Sequence, residues 1–145
     1  MTKSQKVSYS AVFTALAMIF SYVEAILPIN FGVPGMKLGL ANLVIVTGLY
    51  YMSEKDVFLI SLTRILLMGL LFGNGMSLLY SLTGGILSYI IMVTLKKKTS
   101  LSVLAVSVSG GVSHNIGQLA AAAFAVNNIH IFYYLPALLI AGVVT

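Results

Sequence analysis

His114, Asn115 and Gln118 place three strong hydrogen-bonding side chains within five positions of an otherwise apolar run, GGVSHNIGQL. A helix would bring His114 and Gln118, which are four residues apart, onto one face and turn Asn115 onto a neighbouring face. In an apolar environment such side chains either bond to neighbouring helices or contact a polar ligand. Both interpretations stay open, and this segment is the first candidate binding site.

More polar residues interrupt the other apolar segments of the chain. If those segments are helices that cross a bilayer, the rise of about 1.5 Å per residue gives each polar residue a depth. Glu24 and Gln118 would lie roughly 24 Å from the cytoplasmic edge, and Asn42 roughly 6 Å below the outer edge. Because unpaired polar groups are costly in lipid, this gathering in the outer half predicts an outward-opening pocket. The predicted substrate-binding residues are Glu24, Lys37, Asn42, Asn74, Tyr80, His114, Asn115 and Gln118.

Several of these residues also have simpler explanations. Glu24 could be an interfacial carboxylate, Asn42 could cap or brace the second helix, and Lys37 could be a solvated loop lysine. Arg64 falls in the inner half, about 12 Å from the inner edge. Its side chain could extend toward the cytoplasm, bond to backbone carbonyls or contact a substrate, and these alternatives stay open. We do not expect it to pair with Glu24, because their depths differ by roughly 12 Å.

The composition indicates the elements that position these residues. The chain has 145 residues, of which 59% are hydrophobic and 8% are charged, and its mean hydropathy is +1.04. A soluble domain carries about 25% charged residues, so the composition predicts an integral membrane protein with a single domain, residues 1–145. The net charge of +5 resides mainly in loop lysines. It therefore indicates membrane topology and not a nucleic-acid-binding surface.

Six hydrophobic segments follow one another along the chain. They are too long for barrel strands, so we predict an all-α bundle of six transmembrane helices in the cell membrane. Most lysines fall at the N-terminus and in the second and fourth loops, which places these parts in the cytoplasm. The last segment ends at Thr145 without a charged flank, and we expect it to be truncated. The segments are about Ser8–Leu27, Leu38–Met52, Val57–Phe72, Met76–Leu95, Leu101–Val126, and Ile131 onward.

Several catalytic motifs are missing from the sequence. There is no cysteine and no G-x-x-x-x-G-K-[ST] phosphate loop, so we expect neither thiolate chemistry nor ATP hydrolysis by this chain alone. Asp56 is the only aspartate, and no carboxylate cluster is available to hold Mg²⁺ against a diphosphate. His114 and His130 are sixteen residues apart with no acidic neighbour, which supports neither a zinc site nor a catalytic triad. We therefore expect no enzyme, no metal and no cofactor.

Small residues recur at helical spacing in three segments. Ala11 and Ala15 form a small-xxx-small pair in the cytoplasmic half of the first segment, a pattern that lets another helix approach closely. Two other sets predict tight packing inside the bundle: Gly84 and Gly85 in the fourth segment, and Gly110, Ser113, Gly117 and Ala121 in the fifth.

Five motifs together resemble a known bacterial family. AVFTA, LPINFGVPGMKLGLANL, LTRILLMGLLFG, LYSLTGGILS and GVSHNIGQL resemble the family labelled heptaprenyl diphosphate synthase component I. That family is also called the Gx transporters and is grouped with the substrate-binding S-components of energy-coupling factor (ECF) transporters. The resemblance covers nearly the whole chain, and GVSHNIGQL is its most specific motif.

The resemblance implies a six-helix subunit that captures a vitamin-like or cofactor-precursor molecule outside the cell. Such a subunit depends on a membrane T-component and two ATPases for energy. The S-component pattern AxxxA matches Ala11 and Ala15, which implies a docking role for this pair. The loop from Pro28 to Lys37 would gate the pocket, and the short sixth segment departs from the six-helix pattern.

An alternative is a non-catalytic membrane partner of a polyprenyl diphosphate synthase in isoprenoid or quinone synthesis. Prenyl synthases need paired aspartates to hold magnesium and diphosphate, so an accessory role fits this chain better than catalysis. A membrane enzyme, the third possibility, would need a convergent acid, base or metal cluster that these residues do not supply.

Overall fold

The protein is described by a computed structural model over residues 2–27 and 40–144. These residues form helices and no strand, which confirms the predicted all-α fold. The predicted sixth segment begins inside a 3₁₀ helix and continues as α6. The elements are α1 (Lys3–Ile26), α2 (Asn42–Tyr51), α3 (Glu54–Leu71), α4 (Gly75–Lys98), α5 (Val103–Val126), the 3₁₀ helix (Ile129–Tyr134) and α6 (Leu135–Val144).

Polar residues define most of the helix ends. Asn127 adopts the left-handed conformation, with φ at 53°, and ends α5, a role suited to asparagine because it tolerates this region. At four helix starts a side-chain oxygen accepts a hydrogen bond from a backbone N–H of the first turn, which otherwise has no partner inside the helix. These caps are Thr2 on α1, Ser53 on α3, Asn74 on α4 and Ser102 on α5.

Helices α1 and α3 run parallel to each other. Near their first turns, Lys6 Nζ lies 3.8 Å from Asp56 Oδ2. At the other end, the ring centroids of Tyr22 and Phe72 are 5.2 Å apart. Each of these stretches spans sixteen residues, or about 24 Å of helix. The two helices are therefore in register over that length.

Helices α4 and α5 form a close antiparallel pair. A Cβ added at Gly117 would lie 2.8 Å from the Cα of Gly84, and one added at Gly110 would overlap the sulfur of Met92. Only glycine lets the two backbones approach this closely, as in the small-residue interfaces of membrane helices. The predicted packing role of the glycines in these two helices is confirmed.

One end of the bundle collects the charged residues, and we call it the lysine-rich end. Lys97 Nζ lies 2.8 Å from Glu54 Oε2, and the Tyr89 hydroxyl donates to the backbone carbonyl of Glu54 at 2.6 Å. The start of α1, the α2–α3 turn and the α4–α5 turn therefore lie together, as the lysine distribution predicted. This end carries Lys3, Lys6, Lys55, Lys96, Lys97 and Lys98.

The apolar core fills the half of the bundle next to the lysine-rich end. Ile45 and Leu49 of α2 pack there with Val57 of α3, Met92 of α4 and Val106 of α5, all nearly fully buried. Burial of such side chains contributes about 1.5–3 kcal/mol each in water. The short helix α2 thus belongs to this half of the molecule.

Two described helices, α1 and α4, are long and apolar enough to cross a bilayer. Helix α3 carries four charged residues, and α5 carries the polar run around His114. Helix α5 is as long as α4. These helices fit membrane association, while six crossings stay a prediction.

A buried polar core as the candidate functional site

Polar side chains from five helices are buried in the bundle, and we call this set the polar core. Each member is at most 8% exposed, which is unusual for residues that normally stay at the surface unless they are paired. The members are Ser21 and Glu24 of α1, Asn42 of α2, Ser61 and Arg64 of α3, Ser77, Ser81 and Ser88 of α4, and Ser113, His114, Asn115 and Gln118 of α5.

The three α5 side chains that opened the sequence analysis lie inside the bundle. His114 is 4% exposed, and Asn115 and Gln118 are 0% exposed. A Cβ at Gly84 would lie 2.6 Å from the His114 carbonyl oxygen and 2.9 Å from Gln118 Cγ. All three side chains are therefore enclosed by the bundle. The tight contact with α4 favours a packing role for part of His114 and of Gln118, and ligand contact stays a prediction.

Asn42 lies deeper than the sequence predicted. Its Oδ1 accepts a hydrogen bond from the Ser88 hydroxyl at 3.1 Å, and its Nδ2 lies 4.0 Å from the sulfur of Met92. Ser88 is thirteen residues into α4, or about 20 Å from the start of that helix at Gly75. Helix α2 begins at Asn42 itself and not near Leu38, so the rise counted from Leu38 does not give the position of Asn42, and the contact with Ser88 does. These contacts make Asn42 a brace between α2 and α4.

Arg64 extends away from the lysine-rich end, and not toward the cytoplasm as a helical side chain at this position normally would. The guanidinium donates to the Ser21 hydroxyl at 3.3 Å and interacts electrostatically with Glu24, one turn further along α1. Given the register of α1 and α3, Ser21 lies about 10 Å beyond the level of Arg64, away from the lysine-rich end. The long side chain of Arg64 thus spans much of its difference in depth from Glu24, close enough for the two charges to attract each other.

The remaining predicted site residues are spread over different environments. Tyr80 is 2% exposed and packs with Leu119 and Ala122 at the end opposite the lysines. Asn74 is exposed, and its side-chain oxygen caps α4 by accepting from the Ser77 N–H at 2.8 Å. Glu24 is buried in the polar core. Lys37, with the predicted gating loop Pro28 to Lys37, lies outside the described residues.

The only aspartate of the chain lies at the lysine-rich end, outside the polar core. Asp56 Oδ2 accepts a hydrogen bond from the Ser53 hydroxyl at 2.7 Å and lies near Lys6 at the lysine-rich end. Among the described residues, no group of three or more His, Cys, Asp or Glu side chains could share a metal ion.

The predicted docking residues face outward. Ala11 and Ala15 are exposed and line an open groove of about 770 Å³ along α1. Lys3, Lys6 and Asp56 line the groove near the lysine-rich end. A second groove of about 440 Å³ lies between α1 and α2, and it is lined by Tyr9, Phe13, Thr47 and Tyr51. Neither groove is lined by the polar side chains of α5.

The serines that α1, α3 and α4 contribute to the polar core were not predicted from the sequence. Ser21 lies three residues before Glu24, and Ser81 and Ser88 lie seven apart on the α4 face that also carries Gly84 and Gly85. This spacing puts each serine on the buried face of its helix. The signal was present, but serine is common in membrane helices and often bonds to its own backbone.

The chain was compared with family models, curated proteins and solved structures. A family model described as Heptaprenyl diphosphate synthase component I matches residues 13–145. No curated protein and no solved structure matches the chain. The match confirms the family named in the sequence analysis, and it does not extend to the S-components of ECF transporters.

Proposed function

The chain belongs to the heptaprenyl diphosphate synthase component I family, and on that premise we propose that it is a non-catalytic membrane component of a polyprenyl diphosphate synthase system. In this role it binds a small ligand in the polar core and associates with a separate catalytic subunit. The family match over residues 13–145 is the observation that carries the proposal.

A non-catalytic role is supported by the acidic residues. Transfer of a prenyl group needs magnesium ions held by several carboxylates against a diphosphate. The chain has three acidic residues in total. Glu54 and Asp56 lie at the lysine-rich end near Lys97 and Lys6, whereas Glu24 is buried beside Arg64. The catalytic carboxylates therefore belong to the partner.

A multi-pass membrane location is supported by the arrangement of the helices. The first five helices alternate in direction, and the lysines collect at the end where α1 starts. By the positive-inside rule this end faces the cytoplasm. All five contribute buried polar side chains. Such side chains normally point into a bundle whose outer surface meets lipid. The outer surface of α1 is rich in exposed apolar residues such as Val12, Ile19 and Ile26.

A membrane component suits the chemistry of a polyprenyl product. The growing chain is apolar and gains free energy on leaving water at about 0.8 kcal/mol per buried CH₂, whereas the diphosphate stays in water. A synthase held at the cytoplasmic face would release its product directly into the bilayer. The lysine-rich end is the part of this chain that a soluble partner would meet.

The test is purification of the tagged chain from its native membrane, followed by identification of the proteins that remain bound. We expect a soluble prenyl synthase subunit, and prenyl transfer to a membrane-bound product that needs both proteins. Recovery of the chain without a synthase, combined with unchanged prenyl transfer after its deletion, would refute the proposal.

A second candidate is the substrate-binding subunit of an ECF transporter, which would capture a vitamin-like molecule in the polar core. The observation that favours it is the open groove at Ala11 and Ala15, because a small-residue face is suited to close approach of another membrane helix. The same purification tests it, since it predicts recovery of a membrane T-component and two ATPases in place of a synthase.

A further inference from the structure

Arg64 is a buried cation with unused hydrogen-bonding capacity. It is 7% exposed, and its Nε has no hydrogen-bond partner among the described residues, although the guanidinium donates to Ser21. An unsatisfied buried polar group costs about 1–3 kcal/mol, and more when it is charged. Such a group therefore needs an explanation, of which a missing ligand is one.

A second buried atom without a hydrogen-bond partner lies on α4, about one turn from the level of Arg64. The Ser81 hydroxyl is buried and has no hydrogen-bond partner among the described residues. A Cβ at Gly85 would touch Ile65 Cδ1 at 2.6 Å, which sets Gly85 level with the Arg64 region of α3. Ser81 lies one turn further from the lysine-rich end, about 6 Å away. The side chain of Arg64 extends in the same direction.

We propose that Arg64 is an oxyanion-binding residue, which receives a carboxylate or phosphate group of the ligand in the polar core. The hydroxyls of Ser21 and Ser81 supply further donors. This inference rests on the ligand-binding role proposed above and adds the chemical class of the ligand. Arginine suits the task because its planar guanidinium presents several donors to one oxyanion in a fixed geometry.

Glu24 has a defined part in this site. Its carboxylate interacts electrostatically with Arg64 and therefore competes with an incoming anion for the same positive charge. A purely structural ion pair would give a different result, because removal of either partner would then only destabilise the bundle. Neutralising Glu24 therefore distinguishes an anion-binding site from a structural ion pair. If Arg64 binds an anion, loss of the competing carboxylate strengthens ligand binding.

The experiment measures the midpoint of thermal unfolding, Tm, of the purified chain in detergent. The probes are inorganic phosphate, pyrophosphate and acetate, each compared with chloride at equal ionic strength. We expect a saturable rise in Tm with at least one oxyanion. The apparent Kd should increase at least tenfold in Arg64→Lys and decrease severalfold in Glu24→Gln. Strongest binding of pyrophosphate assigns a diphosphate ligand, and strongest binding of acetate assigns a carboxylate.

Two further variants keep the test decisive. Arg64→Gln alone leaves the Glu24 carboxylate buried beside a neutral side chain and can prevent folding. The double variant Arg64→Gln with Glu24→Gln removes both charges, so it should fold and lose the oxyanion effect. Lys97→Gln, which removes an exposed cation at the lysine-rich end, should keep it.

The inference is overturned if oxyanions raise the Tm of the double variant as much as that of the wild-type chain. It is also overturned if they do not raise the Tm of the wild-type chain. The assay contains no partner protein. Its failure is therefore distinct from failure to recover a synthase, which would refute the proposed function instead.

Discussion

Gly84 and Gly117 meet where α4 and α5 cross, and a Cβ added to Gly117 would lie 2.8 Å from the Cα of Gly84. This contact brings the α5 backbone at His114 and the stem of Gln118 directly against α4. The small residues of α5 thus determine where its polar side chains lie. The close packing of α4 against α5 therefore also fixes the position of the polar side chains that α5 contributes to the polar core.

Gly117→Ala should destabilise the bundle by about 1–3 kcal/mol, the usual cost of overpacking. The new methyl group would meet backbone atoms of α4, which cannot move aside as a flexible side chain can. Gly75→Ala is the matched control, because a Cβ there has nothing within 4 Å. Thermal unfolding in detergent measures both. Equal midpoints for the two variants would contradict the close contact.

Asn42 and Ser88 should show energetic coupling. Their hydrogen bond joins α2 to α4 inside the bundle, and polar bonds between membrane helices are worth about 0.6–2 kcal/mol. We expect a double-mutant cycle of Asn42→Ala and Ser88→Ala to give a coupling energy of about 0.5 kcal/mol or more. Thr94→Ala is the control, because its hydroxyl bonds within α4 to Ile90. Additive effects of Asn42→Ala and Ser88→Ala would mean that Asn42 does not brace the helices.

Ala11→Leu and Ala15→Leu should reduce recovery of the membrane or soluble partner at least tenfold. The larger side chains would fill the open groove along α1 without disturbing the bundle, since both positions are exposed. Val12→Leu is the matched control on the same helix, where a valine is already 56% exposed. Partner recovery and the oxyanion-dependent Tm are measured side by side. Loss of both in the Ala11 or Ala15 variant would refute separate docking and ligand sites.

The orientation in the membrane can be tested with single cysteines, because the chain has none of its own. Gly75→Cys lies at the start of α4, and Ser100→Cys lies in the turn between α4 and α5, at the lysine-rich end. An impermeant maleimide added to intact cells should label only the first. Both should react after the membrane is opened. Labelling of Ser100→Cys in intact cells would reverse the orientation.

Much of the fold follows from local features of the sequence. Apolar runs far longer than strands predict helices, and Ser53, Asn74 and Ser102 supply caps where those helices begin. The position of Ala11 and Ala15 on an open face also follows from helical spacing. The roles of His114, Asn115 and Gln118 did not follow, because ligand contact and helix packing use the same residue types.

The position of Asn42 and the direction of the Arg64 side chain depend on features outside the local sequence. Asn42 was placed near a surface because an apolar run was equated with a helix of the same length, whereas α2 has ten residues. Arg64 was assigned the usual direction of a helical side chain. Its actual direction depends on Ser21 and Glu24 of α1, which are distant in the chain.

The amino-acid sequence by itself determined the helices, their alternation and the end at which the lysines collect, because these follow from hydrophobicity, capping and charge along consecutive residues. Only the tertiary structure decided which polar side chains meet. The pairing of Arg64 with Ser21 and of Asn42 with Ser88 depends on the register between helices that are far apart in sequence. That register is set by contacts such as the one between Gly84 and Gly117, where the absence of a side chain allows two backbones to touch.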